Sequence, residues 1–239
     1  MTNLSQRLLT RYYKNEPHPY KTFENRVDGL IGRDTRVLLD AGCGRTAPVL
    51  RKYLGRVERL IGVELVDFKD IPPGIETHNA SLAQLPLPDN CVDLIMSRSV
   101  FEHLSEPDKV YKEFNRILKP GGAIVFLTAN MWDYATLIAR LIPNRPHARI
   151  VRWVEGRAEE DTFPTEYKTN TQSAIRRLAA DSDLQVESIE YLSQYPNYFM
   201  FSGVLFFLGM CYEKLISRVE VLRFLRGWII VTLRKPRAK

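Results

Sequence analysis

The sequence predicts an α/β fold, a mostly parallel sheet with helices on both faces. Between residues 35 and 130, short apolar runs alternate with amphipathic stretches, the pattern of strand–helix–strand crossovers. The first run, "VLLDA", ends in a turn with two glycines one residue apart, Gly42 and Gly44. The 239 residues are enough for one domain with a full core and an elaboration.

Residues 19–31, "PYKTFENRVDGLI", read as a helix with Tyr20, Phe23, Val27 and Leu30 on one stripe. "RVLLDA" is a short apolar run bounded by turn residues, as in a buried parallel strand. "APVLRKYL" reads as the helix that follows it, and "RLIGVEL" as the second strand. Pro72, Pro73 and Gly74 break the chain before "IETHNA". "CVDLIMSRS" is a further strand, and "EPDKVYKEFNRILKPGG" a helix with an acidic start and a Lys-Pro-Gly-Gly stop. "AIVFLTAN" is again a buried strand.

After Asn130 the pattern loosens. Residues 131–167 carry Pro143, Pro146 and Pro164, several arginines, Trp132 and Trp153. "TNTQSAIRRLAADS" is a helix with Thr or Asn as its N-cap. "LQVESIEYL" and "GWIIVTLRK" are strands, separated by far more residues than a hairpin loop needs.

Composition sets further bounds. Hydrophobic residues are 45% and charged residues 26%, as in an ordinary globular protein. Cys43, Cys91 and Cys211 lie far apart, without metal-ligand spacing or a disulfide pattern, which suits a reducing cytoplasm. The N-terminus shows no apolar signal region. The net charge of +6 is localised: Glu213 to Lys239 holds eight Lys/Arg against two Asp/Glu, and the remainder is neutral. That distribution, with no appended RNA-binding module, argues against a nucleic-acid partner.

The segment "GCGRTA" fits G-x-G-x-x-G/A at Gly42, Gly44 and Ala47, with the acid Glu64 about 20 residues on. These are the terms of a dinucleotide site, and Asp40 argues against one. A carboxylate just before the glycines would repel a pyrophosphate and attract an ammonium and a sulfonium. S-adenosyl-L-methionine carries both. Asp40 can pair with its ammonium, and Glu64 can accept both ribose hydroxyls.

The blocks "LLDAGCGRT", "IGVEL", "LAQLPLPDNCVDLIMSRSVFEHL" and "EFNRILKPGGAIVFLTAN" together resemble class I SAM-dependent methyltransferases of the small-molecule (type 11) group. The resemblance covers about residues 36–130. It implies a Rossmann-like sheet of seven strands, the last antiparallel, with a helical insert before it. It also implies a single methyltransferase domain over 1–239, divided into an N-terminal helical lid (1–34), a SAM-binding core (35–130), a substrate-side segment (131–169) and the insert (197–226). Asp40, Gly42, Cys43 and Gly44 match the first motif, and Glu64 and Leu65 the ribose acid and its neighbour. Ser81 and Leu82 stand at the adenine-contacting positions, with Ser81 where the family often has Asp. Ser97 and Arg98 would line the methionine end, and His103 of "FEHL" lies where the family has a histidine near the transferring methyl. Tyr20, Trp132, Arg149, Arg152, Trp153 and Tyr167 are the substrate-side candidates.

The resemblance implies a methyltransferase with a small-molecule acceptor, methylated at oxygen on a glycan or lipid-linked intermediate. A quinone- or lipid-directed C-methyltransferase and a non-catalytic SAM-binding protein are the alternatives. His103 is either a general base or a lining residue, because many such enzymes act mainly by proximity. "NYFMFSGVLFFLGMCY", residues 197–212, is uncharged and shorter than a spanning helix. Beside the basic segment that follows, it reads either as a homodimer or domain contact or as a peripheral contact with the inner face of the membrane. In that basic segment, "KLISRVEVLRFLR", Arg223 and Arg226 fall near the apolar face, so its helical period is not clean.

Overall fold

A computed structural model describes residues 2–141 and 163–237. A seven-stranded sheet in the order β3-β2-β1-β4-β5-β7-β6 is its backbone. The strands are β1 (Val37–Ala41), β2 (Arg59–Glu64), β3 (Ile75–Asn79), β4 (Val92–Arg98), β5 (Leu118–Ala129), β6 (Gln185–Leu192) and β7 (Trp228–Arg234). Neighbours from β3 to β5 pair in parallel. β7 runs antiparallel to β5: Gly121 at the start of β5 meets Lys235, whereas Asn130 just after it meets Gly227. The strands buried on both faces, such as β1 and β4, are the ones that read as unbroken apolar runs.

The chain groups into two compact units. The larger comprises Phe23–Thr128, Thr165–Glu190 and Ile230–Lys239. It contains most of the sheet, most of α2 (Pro19–Leu30), α3 (Pro107–Ile117) and α5 (Gln172–Ala180). Phe23 and Val27 of α2 are fully buried, as their stripe requires. Thr171 caps α5 by accepting the Ala174 N–H. "APVLRKYL" forms only a 3-10 turn, Leu50–Tyr53, and not the expected helix. Ala47 sits at φ +45°, Pro48 has no N–H to donate, and Gly55 at φ +74° turns the chain away, which leaves too few residues for an α-helix. β5 begins five residues before "AIVFLTAN", because "LKPGG" enters the sheet through a register shift opposite Val92 and Leu94.

The smaller unit comprises Met1–Thr22, Ala129–Pro164 and Tyr191–Ile229. The boundary between the units falls within α2, so residues 1–34 are divided between them. The smaller unit holds α1 (Asn3–Tyr12), α4 (Tyr134–Leu141) and α6 (Gly203–Arg218), the helical insert between the last two strands. Asn130 anchors the end of the insert, donating to the carbonyls of Phe224 and Arg226 at 2.6 and 2.7 Å. Arg226 turns inward and donates to the carbonyls of Ile216 and Ser217 and to Glu220, so its charge is used inside the insert. Asp133 caps α4, accepting from the N–H groups of Ala135 and Thr136. Burial, then the neighbouring Asp133 and Glu16, push Glu213 up to about 8. Oε2 of Glu213 and the hydroxyl of Tyr13 are buried and meet no hydrogen-bond partner among the described residues.

Candidate active site

The C-terminal ends of β1, β2 and β4 bring the cofactor candidates of the larger unit together. The glycine turn is tied to β2, because the N–H groups of Gly42 and Cys43 both donate to the Val63 carbonyl, at 2.9 and 3.1 Å. Gly42 (φ +76°) and Gly44 (φ +73°) both occupy the left-handed region, but for different reasons. A Cβ on Gly42 would lie 2.3 Å from Cγ2 of Val100, whereas one on Gly44 would meet nothing within 4 Å. Packing therefore requires glycine at 42, and open space, where a ligand can approach, lies at 44.

Glu64 closes the turn from β2. Its two carboxylate oxygens accept the N–H groups of Gly44 and Leu65, each at 2.8 Å. Each oxygen keeps acceptor capacity for a hydroxyl. Leu65 is 61% exposed. Cys43 points the other way, its Sγ packed where a Cβ of Gly62 would fall, so only its backbone belongs to the turn.

Asp40 is the electrostatic centre. It lies buried one residue before the end of β1, and burial raises its carboxyl to about 7 against the lowering effect of Arg98, with Glu64 raising it further. Arg98 itself is drawn toward Glu24 of α2, at 3.5 Å. A buried carboxylate whose nearby cation does not offset its desolvation has a place for another positive charge. Together with two acceptor oxygens on Glu64 and open space at Gly44, this donor and charge set fits the ammonium and ribose of S-adenosylmethionine.

Ser97 departs from expectation. It is fully buried and donates its hydroxyl to the Ala41 carbonyl at 2.7 Å. It joins β4 to β1 and has no surface with which to line a ligand. Ser81 is exposed and accepts the Ala83 N–H, while Leu82 is buried. Arg116 holds the loop that follows them through the carbonyls of Leu85 and Leu87.

His103 closes a 3-10 turn, Phe101–His103, just after β4. Phe101 fixes this turn by stacking on Phe126, with ring centroids 3.8 Å apart, and leaves His103 half-buried. The backbone carbonyl of Glu102 accepts the N–H groups of Glu166 and Tyr167, which brings Tyr167 to the same corner as His103. The Glu102 carboxylate accepts the Thr128 hydroxyl at 2.8 Å, and Asn170 donates to that hydroxyl at 2.7 Å. Sequence reasoning missed this buried chain; its one signal was the acid inside "FEHL". Tyr20 and Trp132 belong to the smaller unit, where Tyr20 packs edge-on against Trp228 and Trp132 is 49% exposed. Arg149, Arg152 and Trp153 lie outside the described residues.

Comparison with known proteins bears on this site. A family model described as a methyltransferase domain matches residues 39–126, from β1 through β5. Over these residues the chain is similar to a methyltransferase domain of that family. A Mycolicibacterium smegmatis protein named probable S-adenosylmethionine-dependent methyltransferase is 34% identical over 114 residues, 45% of this chain and 42% of its own length. The chain thus matches less than half the length of this curated relative. Among solved structures, the geranyl diphosphate C-methyltransferase of Streptomyces coelicolor superposes with a TM-score of 0.55 at 18% identity, covering 98% of this chain and 86% of its own. The [4+2]-cyclase SpnF superposes with a TM-score of 0.56 at 16% identity, covering 91% and 81%. At these identities the chain shares its fold with proteins of different chemistry.

Proposed function

We propose that the protein is an S-adenosylmethionine-dependent methyltransferase that methylates a small-molecule acceptor at oxygen, carried on a glycan or a lipid-linked intermediate. The observation that carries the cofactor reading is Asp40, a buried carboxylate at the mouth of a glycine turn that opens to free space at Gly44. When bound, the cofactor supplies an electrophilic methyl on a sulfonium. Asp40 would hold its ammonium, and Glu64, preset by two backbone N–H groups, would hold its ribose. Support for an acceptor presented at a membrane comes from the smaller unit, whose insert combines exposed apolar side chains with cations.

His103 is proposed as the base that takes the acceptor hydroxyl proton, on a turn held rigid by Phe101. The test is methyl release from S-adenosylmethionine against glycan, lipid-linked and quinone acceptors. His103→Ala should lower turnover about 10²-fold with S-adenosylhomocysteine affinity unchanged. Full activity in that variant would leave His103 a lining residue.

A further inference from the structure

Helix α6 is apolar on its exposed side as well as on its buried one. Val204, Phe207, Leu208 and Leu215 recur at helical spacing on one side and are 48–67% exposed. Phe206, Gly209, Met210, Glu213 and Ile216 form the opposite, buried side. The only carboxylate of the helix thus faces inward among Phe206, Met210 and Ile216, while a second set of large apolar side chains faces outward, where a helix that lies against water carries polar residues. Leu4 of α1, itself 50% exposed, lies over Gly203 and extends the apolar surface to the start of α6.

The exposed charges on the two helices that form this surface are positive. Arg7 and Arg11 of α1 and Arg218 at the end of α6 are exposed, and α1 contains no acid. By contrast, Lys214 pairs with Glu16, and Arg223 with Glu220, and Arg226 is turned inward. A second copy docked about a two-fold axis would bring like charges together on an otherwise apolar face. An anionic surface would be attracted by the same charges.

We infer that the outward face of α6, with Leu4 and the arginines beside it, docks on an anionic lipid bilayer and rests in the plane of its headgroups. The helix has 16 residues and is about 24 Å long, shorter than the hydrocarbon core of about 30 Å. None of the described helices is long and apolar enough to cross a membrane. The apolar side chains would enter the acyl boundary, and the arginines would meet lipid phosphates. This deepens the proposed reading of a membrane-presented acceptor, but it does not require turnover.

The test is flotation of the full chain with phosphatidylglycerol–phosphatidylcholine vesicles and with pure phosphatidylcholine vesicles. Binding should be confined to the anionic vesicles at low salt and should weaken as salt shortens the screening length. Replacing Arg7, Arg11 and Arg218 together with Gln should weaken it about 10²-fold. Phe207→Ser with Leu208→Ser should abolish it. S-adenosylhomocysteine binding measured on each variant reports folding and tests the cofactor reading separately. If the intact chain stays unbound as a dimer that the Phe207/Leu208 variant dissociates, the face is a subunit interface and the inference is wrong. It is equally wrong if the intact chain remains an unbound monomer.

Discussion

Asp40 and Glu213 are both buried carboxyls raised by desolvation, to about 7 and about 8, yet they answer to different surroundings. Asp40 lies one residue before the end of a sheet strand, beside a turn that leaves open space, with Arg98 close enough to act on it. Glu213 faces the inside of a small unit, with Asp133 and Glu16 as charged neighbours of its own sign. The first is the acid proposed above to hold the cofactor's ammonium. The second is an acid on the buried face of a helix that also exposes large apolar side chains. Burial alone does not mark a functional carboxyl; what matters is whether the surroundings leave room for a counter-charge.

The largest effect that would break this comparison acts on the floor beneath Asp40. Gly42→Ala places a Cβ 2.3 Å from Val100 at φ +76° and should cost about 2–4 kcal/mol of stability, read by denaturant unfolding. Gly44→Ala meets no neighbour and should cost only the backbone strain, about 1 kcal/mol. Equal losses at the two positions would show that they do not divide packing from ligand approach.

A smaller effect sharpens the role of Asp40. Asp40→Asn should weaken S-adenosylhomocysteine binding by about 1.5–3 kcal/mol in calorimetry, while stability at pH 8 holds or rises because a desolvated charge is gone. A stable variant with unchanged affinity would remove Asp40 from the cofactor site. Ionised Asp40 is the form that pairs with an ammonium, so wild-type affinity should rise with pH until about 7 and then level.

A further effect is in the pH dependence of the unliganded protein. Both carboxyls are raised on folding, so the folded state holds their protons more tightly than the unfolded chain does. The stability they contribute is complete below the unfolded value of about 4 and is lost as pH rises through about 7 for Asp40 and about 8 for Glu213. The melting temperature should therefore fall from pH 5.5 to 9. Glu213→Gln should flatten the upper part of that fall and Asp40→Asn the lower part. A melting temperature that climbs across this range would mean that Glu213 is ionised and paired.

Much of the larger unit was legible in the sequence. Parallel strands buried on both faces read as continuous apolar runs, so β1, β2, β4 and β5 were placed within a few residues. Asp40 and Glu64 were legible because strand ends and glycine turns are local features. The chain of Glu102, Thr128 and Asn170 was not, because its members are far apart in sequence and meet only across the folded sheet.

The sequence by itself determined the order of features along the first half of the chain: an acid and a glycine turn after the first apolar run, a second acid at the end of the next, and a histidine shortly after a third. Those assignments follow from period, spacing and charge, which are properties of neighbouring residues. Only the tertiary structure decided that Val100 fills the space over Gly42, that Ser97 ties two strands and does not line the site, and that Arg226 is used inside the insert. It also decided that α6 turns Glu213 inward and Phe207 outward. A helix that is apolar nearly all round has no facing written in its own period. Which side it buries depends on what packs against it, and that is a property of the fold.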